Sequence, residues 1–319
     1  MASPRVAVIG ARRARQGLGP FIARDLRAAG AEVVALLTTS ERSGAEAAEQ
    51  CERFAGVRPR TYVDLAALLE AERPHALAIC SPHATHAECL ERALENRVHV
   101  LCEKPLVWGD DFAARSARTA ERFAERGLVL FENCQWPYAL PAIAALHPGA
   151  LDAPPRRFRM LLQPPARGRG MLADALPHPL SLLQRLAPAK TPRAETIHIA
   201  GQGAESVALR FDYVTPEARV EVTIDLLTSD DHPRRFRIEI DDHVAERQVD
   251  PGDYSQRLAA EDRSVPLPDP MSALVADFVA CVSDGPDPRA SERRDEITAR
   301  AALLESLAGA WPAELRDSR

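Results

Sequence analysis

Three hundred and nineteen residues correspond to about two domains of ~150 residues, each long enough to bury a core of its own. Forty Lys and Arg against forty-six Asp and Glu leave a formal charge of -6, and 46% of the residues are hydrophobic. That balance excludes a disordered chain and a protein built to coat nucleic acid, and it points to a small-molecule partner. The apolar runs stop at strand length and MASPRVAVIG enters a strand without an export signal, so the expectation is a cytoplasmic protein with no membrane partner. Cys51, Cys80, Cys89, Cys102, Cys134 and Cys281 form no C-x-x-C pair, and the histidines outside the motifs below show no metal-ligand spacing. No disulfide framework and no metal are therefore expected.

From residue 5 the chain alternates short β-branched runs with helical stretches. Strands are predicted at 6–9, 32–37, 76–80, 99–102 and 128–131, and helices at 16–29, 41–54, 65–72, 85–95 and 110–126. This rhythm predicts an α/β Rossmann domain, a doubly wound parallel sheet, over residues 1–131. Beyond it Val207, Leu209, Phe211 and Tyr213 alternate with polar residues, as do Val220, Val222, Ile224 and Leu226, and then Phe236, Ile238 and Ile240. One apolar and one charged face predict an α+β domain over 132–319, an open, mostly antiparallel sheet covered by helices on one face. The helices available to cover it are 171–186, 271–283 and 291–311. This domain would bind substrate, and the mixed charge of its open face leaves a homo-oligomer, dimer or tetramer, undecided.

A ligand of a parallel sheet lies beyond the carboxyl ends of its strands, where the first loop offers backbone N–H groups to a pyrophosphate. That loop begins with Gly10 directly after the strand, but Arg12 and Arg15 stand where G-x-G-x-x-G has its second and third glycines. Gly10, Arg12, Arg13 and Ala14 are the expected cofactor contacts, with guanidinium charge offsetting the poorer backbone approach. The second strand ends in Leu37-Thr38-Thr39-Ser40-Glu41-Arg42, without the carboxylate that accepts from an adenosine ribose. Thr38 with Arg42 or Arg12 would hold a 2′-phosphate, which favours NADP over NAD. Thr39 or Ser40 also suits the cap of the next helix.

Of the forty cationic side chains only Lys104 and Lys190 are lysines. A lysine that must release a proton cannot be exchanged for arginine, so Lys104 draws attention before any motif. It lies in His99-Val100-Leu101-Cys102-Glu103-Lys104-Pro105, which follows Ser81-Pro82-His83-Ala84-Thr85-His86; a third string is Asp174-Ala175-Leu176-Pro177-His178. In order and spacing these resemble the Gfo/Idh/MocA oxidoreductases, the group of glucose-fructose oxidoreductase and inositol dehydrogenase. The likeness covers most of 5–310, strongest at 76–107 and weakest at the glycine loop. It implies that Lys104 contacts the reacting oxygen beside a nicotinamide and that Asp174 and His178 belong to the substrate helix.

The residues themselves support that chemistry. Interconverting an alcohol and a carbonyl needs a hydride acceptor at carbon and a group for the hydroxyl proton. Lys104 suits the second need, with Glu103 and Pro105 as supports. Asp174 and His178, four apart, share a helix face, where His178 can take a proton and Asp174 can orient it; capping or packing by His178 is the alternative. Ser81, His86 and Glu103 would stand beside the cofactor, His86 holding its loop or serving structure alone. Trp136 would wall the nicotinamide or fill the core. The reading is an NAD(P)-dependent dehydrogenase or reductase acting on a sugar, cyclitol or related polyol, with Lys104 and His178 handling the proton. Pro177 and the arginine-rich loops keep open an imine or conjugated-acceptor reductase, and the broken glycine loop keeps open a catalytically silent dinucleotide or sugar sensor.

Overall fold

The computed structural model describes residues 3–12, 17–250, 252, 254–285 and 287–315. The chain divides into two compact units, residues 1–133 with 271–297, and residues 134–270 with 298–319.

The first unit is built on β1 (Arg5–Ile9), α1 (Gly19–Ala28), β2 (Glu32–Leu37), α2 (Glu41–Ala55), β3 (Arg60–Tyr62), α3 (Leu65–Glu72), β4 (Ala76–Ile79), α4 (His86–Glu95), β5 (His99–Cys102), α5 (Phe112–Glu125) and β6 (Leu130–Glu132). Its six strands lie in the order β3-β2-β1-β4-β5-β6, all parallel. Ala76, Leu77, Ala78 and Ile79 are wholly buried; a parallel strand flanked by helices has two apolar faces and therefore no alternation. The order reverses between β1 and β4, which is where such sheets place ligands. Ser40 starts α2 with a reciprocal capping box, its Oγ accepting from Ser43 N at 3.2 Å while Ser43 Oγ accepts from Ser40 N at 3.0 Å.

The turn at the switch point requires glycine. Gly10 has φ +76°, and a β-carbon there would meet Ser81 N at 2.5 Å. A β-carbon on Gly19, at the start of α1, would meet Ala11 Cα at 2.6 Å. The turn after β1 is thus clamped between the loop after β4 and the first residue of α1.

The second unit contains α6 (Leu140–Leu146), β7 (Arg157–Leu162), α7 (Gly170–Ala175), α8 (Pro177–Leu186), β8 (Arg193–Gly201), β9 (Ser206–Val214), β10 (Arg219–Leu227), β11 (Phe236–Ile240), β12 (His243–Val249), β13 (Gln256–Ala260) and β14 (Arg263–Pro266). Its eight strands run β14-β13-β12-β11-β7-β10-β9-β8. The β7–β10 pair is parallel and every other pairing is antiparallel. Phe158, Met160, Phe211, Tyr213, Ile224, Phe236 and Ile238 bury one face, each contributing roughly 1.5–3 kcal/mol. Tyr213 donates from that face to the carbonyl of Ala187 at 3.2 Å, just past α8. The other face carries cross-strand ion pairs, among them Arg159–Asp225 at 2.8 Å and Arg219–Asp212 at 2.7 Å.

Two helical expectations change. The predicted 171–186 helix is split into α7 and α8 because Pro177 and Pro179 have no N–H for the helical ladder, although Leu176 keeps helical angles of -66° and -29°. The helix expected over 271–283 to cover the open sheet, α9 (Pro270–Ser283), goes instead with the parallel-sheet unit, where Phe278 meets Phe131 at 5.5 Å. The start of α10 (Ala290–Gly309) does the same, Arg293 lying over Phe131 at 4.2 Å, whereas its later part belongs to the second unit. No helix among the described residues is long and apolar enough to cross a membrane.

A Gly10→Ala substitution forces both a strained φ and a backbone overlap. It should lower the stability of the protein by at least about 1–3 kcal/mol, read as a lower denaturant midpoint. An unchanged midpoint would mean that the two loops do not touch as described.

Candidate functional site

In the first unit the candidate residues gather at the carboxyl ends of β1, β2, β4 and β5. His86 is 0% exposed, and its ring ties two loops together, Nδ1 lying 3.0 Å from the carbonyl oxygen of Pro105 and Nε2 2.9 Å from that of Ser81. Ser81 in turn shares a 2.7 Å hydroxyl contact with Thr85 and lies against Gly10. The backbone around Lys104, a half-buried residue joined to Pro105 by a cis peptide, is therefore anchored to the switch-point turn. Glu103 accepts from the side-chain amide of Asn133, and Glu132 accepts from Leu106 N at 2.8 Å, so both ends of the Lys104 segment are also held from β6.

The electrostatics are those of a cationic loop over inert thiols. His83 is held below its ordinary imidazole range, first by desolvation and then by its electrostatic interactions with His86 and Lys104. The Cys80 thiol is pushed well above its usual value by burial and by Glu103, and Cys102 by burial and by Glu132. Neither suits a nucleophile.

At the end of β2 the residues separate into two roles. Thr38 is buried and its hydroxyl donates to Ser40 O at 3.1 Å, which leaves Thr39 and Ser40 as the exposed hydroxyl residues. Arg12 and Arg42 converge on opposite oxygens of Glu46, at 3.0 and 3.3 Å. A carboxylate bridging two guanidiniums is the arrangement a phosphate monoester would take over. Gly10, Arg12 and Arg42, with Thr39 and Ser40, thus fit the chemistry of a phosphorylated dinucleotide. Arg13 and Ala14 lie outside the described residues.

In the second unit Asp174 and His178 are the only residues from 171 to 184 that are not buried. Asp174 Oδ2 accepts from Ala166 N at 3.4 Å, and Ser181 Oγ donates to His178 O at 2.7 Å. Trp136 is 6% exposed, meets the His178 ring edge-on at 6.5 Å and stacks on Phe236 at 3.8 Å. Two arginines that the sequence reading passed over stand beside this group. Arg247 lies over the Trp136 ring at 5.5 Å and donates to Arg234 O at 2.7 Å. Arg234 lies within the electrostatic reach of Asp174 and Asp230. The available signal was in β12, where Arg247 occupies the alternation of buried Ala245.

A Gly turn, a helix and a strand-end basic patch on a 3-2-1-4-5-6 parallel sheet define a dinucleotide-binding Rossmann unit. Residues 4–133 match the GFO_IDH_MocA model, described as "Oxidoreductase family, NAD-binding Rossmann fold". The chain is 42% identical over 82 residues to dTDP-3,4-didehydro-2,6-dideoxy-alpha-D-glucose 3-reductase of Actinomadura kijaniata, a stretch amounting to 26% of this chain and 23% of that protein. It is 34% identical over 142 residues to inositol 2-dehydrogenase of Rubrobacter xylanophilus, covering 43% of this chain and 39% of the relative. The chain therefore spans well under half the length of these curated relatives. Its fold is similar to that of UDP-N-acetylglucosamine 3-dehydrogenase GnnA from Acidithiobacillus ferrooxidans, with TM-score 0.68, 24% identity and coverage of 99% of this chain and 100% of the other.

A His86→Leu substitution leaves the carbonyls of Ser81 and Pro105 without the ring that joins them. Stability should fall by about 1–3 kcal/mol, and amide exchange over 103–107 should accelerate more than in the rest of the sheet. Unchanged exchange in that segment would contradict the tie.

Proposed function

We propose that this chain is an NAD(P)-dependent oxidoreductase that moves a hydride to or from an oxygen-bearing carbon of a sugar or related polyol, with NADP the favoured cofactor. The observation that carries the proposal is the anchoring of the Lys104 segment, through His86, to the loop that touches Gly10. This arrangement supports an amine held at a fixed place relative to the pyrophosphate turn. The chain's similarity to two sugar-nucleotide enzymes and an inositol dehydrogenase supports the substrate class.

When bound, the nicotinamide dinucleotide supplies the hydride acceptor or donor. Gly10 lets the backbone approach the pyrophosphate, and Ser81 with the Glu103 backbone lines the same end of the sheet. Arg12 and Arg42, now paired with Glu46, would hold a ribose 2′-phosphate, with the Thr39 and Ser40 hydroxyls alongside; Thr38 supports that turn through its bond to Ser40. Lys104 hydrogen bonds the substrate oxygen and takes or returns its proton as charge changes there. His178, oriented by Asp174, is the second proton carrier.

Lys104→Ala should lower kcat by about 10²–10⁴-fold while leaving the affinity for NADPH, followed by nicotinamide fluorescence, unchanged. Full turnover by the variant would remove Lys104 from the mechanism. NADPH should bind more tightly than NADH, and Arg42→Ala or Arg12→Ala should reduce that preference by about tenfold, the value of a charge-assisted contact. Equal affinity for both cofactors in the unaltered protein would contradict the phosphate assignment.

A further inference from the structure

Arg247 stands where the sheet pattern calls for an apolar side chain. In β12 it lies directly opposite Leu258 of β13, a wholly buried residue, and two positions from Ala245, buried at 1% exposure. It therefore projects from the apolar face of the sheet, the face that carries Phe236 and Ile238. Its guanidinium rests over Trp136 and gives one N–H to the carbonyl of Arg234. Its Nε is buried and has no hydrogen-bond partner among the described residues. Desolvation holds the arginine below its usual range, and Asp269 opposes that shift.

The local rule is broken at one end of the sheet. There Thr228 Oγ1 donates to Ala166 O at 3.0 Å, Ala166 N approaches Asp174, and Arg235 N donates to Gln163 Oε1 at 2.6 Å. These bonds lace the segment carrying Arg234 to the segment that meets the Asp174 helix. Arg234 is also depressed first by desolvation, with Asp174 and Asp230 raising it. Two arginines, an indole and the Asp174–His178 face thus meet within a single unit. A guanidinium kept for packing alone would be better replaced by an apolar side chain of similar volume, because desolvating it costs several kcal/mol. Charges that violate the fold's own pattern cluster at functional sites.

We infer that Arg247, with Arg234, forms a specificity subsite for an anionic group on the substrate, a carboxylate or a phosphate ester, beside the Asp174–His178 face. The inference rests on the proposal that this face receives the substrate. Trp136 backs the guanidinium, so that Arg247 presents a fixed donor edge, and Arg234 supplies the second positive charge.

The test is calorimetric titration of the full chain, and of its Arg247→Leu and Arg234→Gln variants, with UDP, glucuronate and myo-inositol. Binding of UDP identifies the phosphate form and binding of glucuronate the carboxylate form. Either should weaken by about tenfold or more in both variants, with NADPH affinity unchanged and with Arg247→Leu melting no lower than the unaltered protein. If neither anion binds, if anion binding is the same in both variants, or if Arg247→Leu unfolds the protein while Arg234→Gln binds anions normally, the subsite is wrong. The broader proposal fails separately: absence of NADPH binding overturns it whatever the anions do, and turnover of a neutral sugar without anion binding sustains it while overturning the subsite.

Discussion

A β-carbon on Gly10 would stand 2.5 Å from the amide nitrogen of Ser81, so the turn after β1 and the loop after β4 touch backbone to backbone. That contact sits where the strand order reverses, and the rest of the first unit's candidate site is referred to it. Ser81 carries one bond from His86, whose other nitrogen reaches Pro105. Asn133 and Glu132 grip the same segment from the neighbouring strand. Lys104 is thereby placed by three strand ends rather than by its own loop, which is the rigidity its proposed role as a proton carrier requires.

The basic patch at the end of β2 follows a different logic. Arg12 and Arg42 are both on the surface side of the turn and both engage Glu46. Ion pairs this exposed contribute little to folding. In the proposed function their value lies in keeping two positive groups close together, so that a dianionic phosphate would meet a preassembled site and displace one carboxylate. In the second unit the charges are placed against the fold: Arg247 projects from an apolar face and rests on Trp136. One patch is thus cheap to build and the other expensive, and the expensive one lies beside His178.

The sequence made the parallel sheet legible because buried parallel strands are short continuous apolar runs separated by amphipathic helices, and it made β9, β10 and β11 legible by their strict alternation. It did not reveal β3, three mostly exposed residues at a sheet edge, or β8, whose side chains are nowhere fully buried. Those strands are defined by backbone pairing and leave no side-chain pattern. The partition of α9 was also hidden, since an apolar helix can cover either sheet equally well. At the candidate site the motifs marked Lys104, His86, Asp174 and His178. Glu46 was invisible, because its contact with Arg12 spans thirty-four positions, and Arg234 and Arg247 were indistinguishable from the other arginines until the register of β12 against β13 was known.

In the proposed function the loops clamped at Gly10, Ser81 and Pro105 would set Lys104 at the reacting end of a dinucleotide whose phosphate end is held by Arg12 and Arg42. A crystal structure of the NADPH complex tests this most directly. The expected complex has the pyrophosphate over Gly10, the 2′-phosphate on Arg12 and Arg42 in place of Glu46, and the nicotinamide ring facing the Lys104 amine. A dinucleotide whose ring lies away from Lys104, or whose 2′-phosphate touches neither arginine, would contradict it.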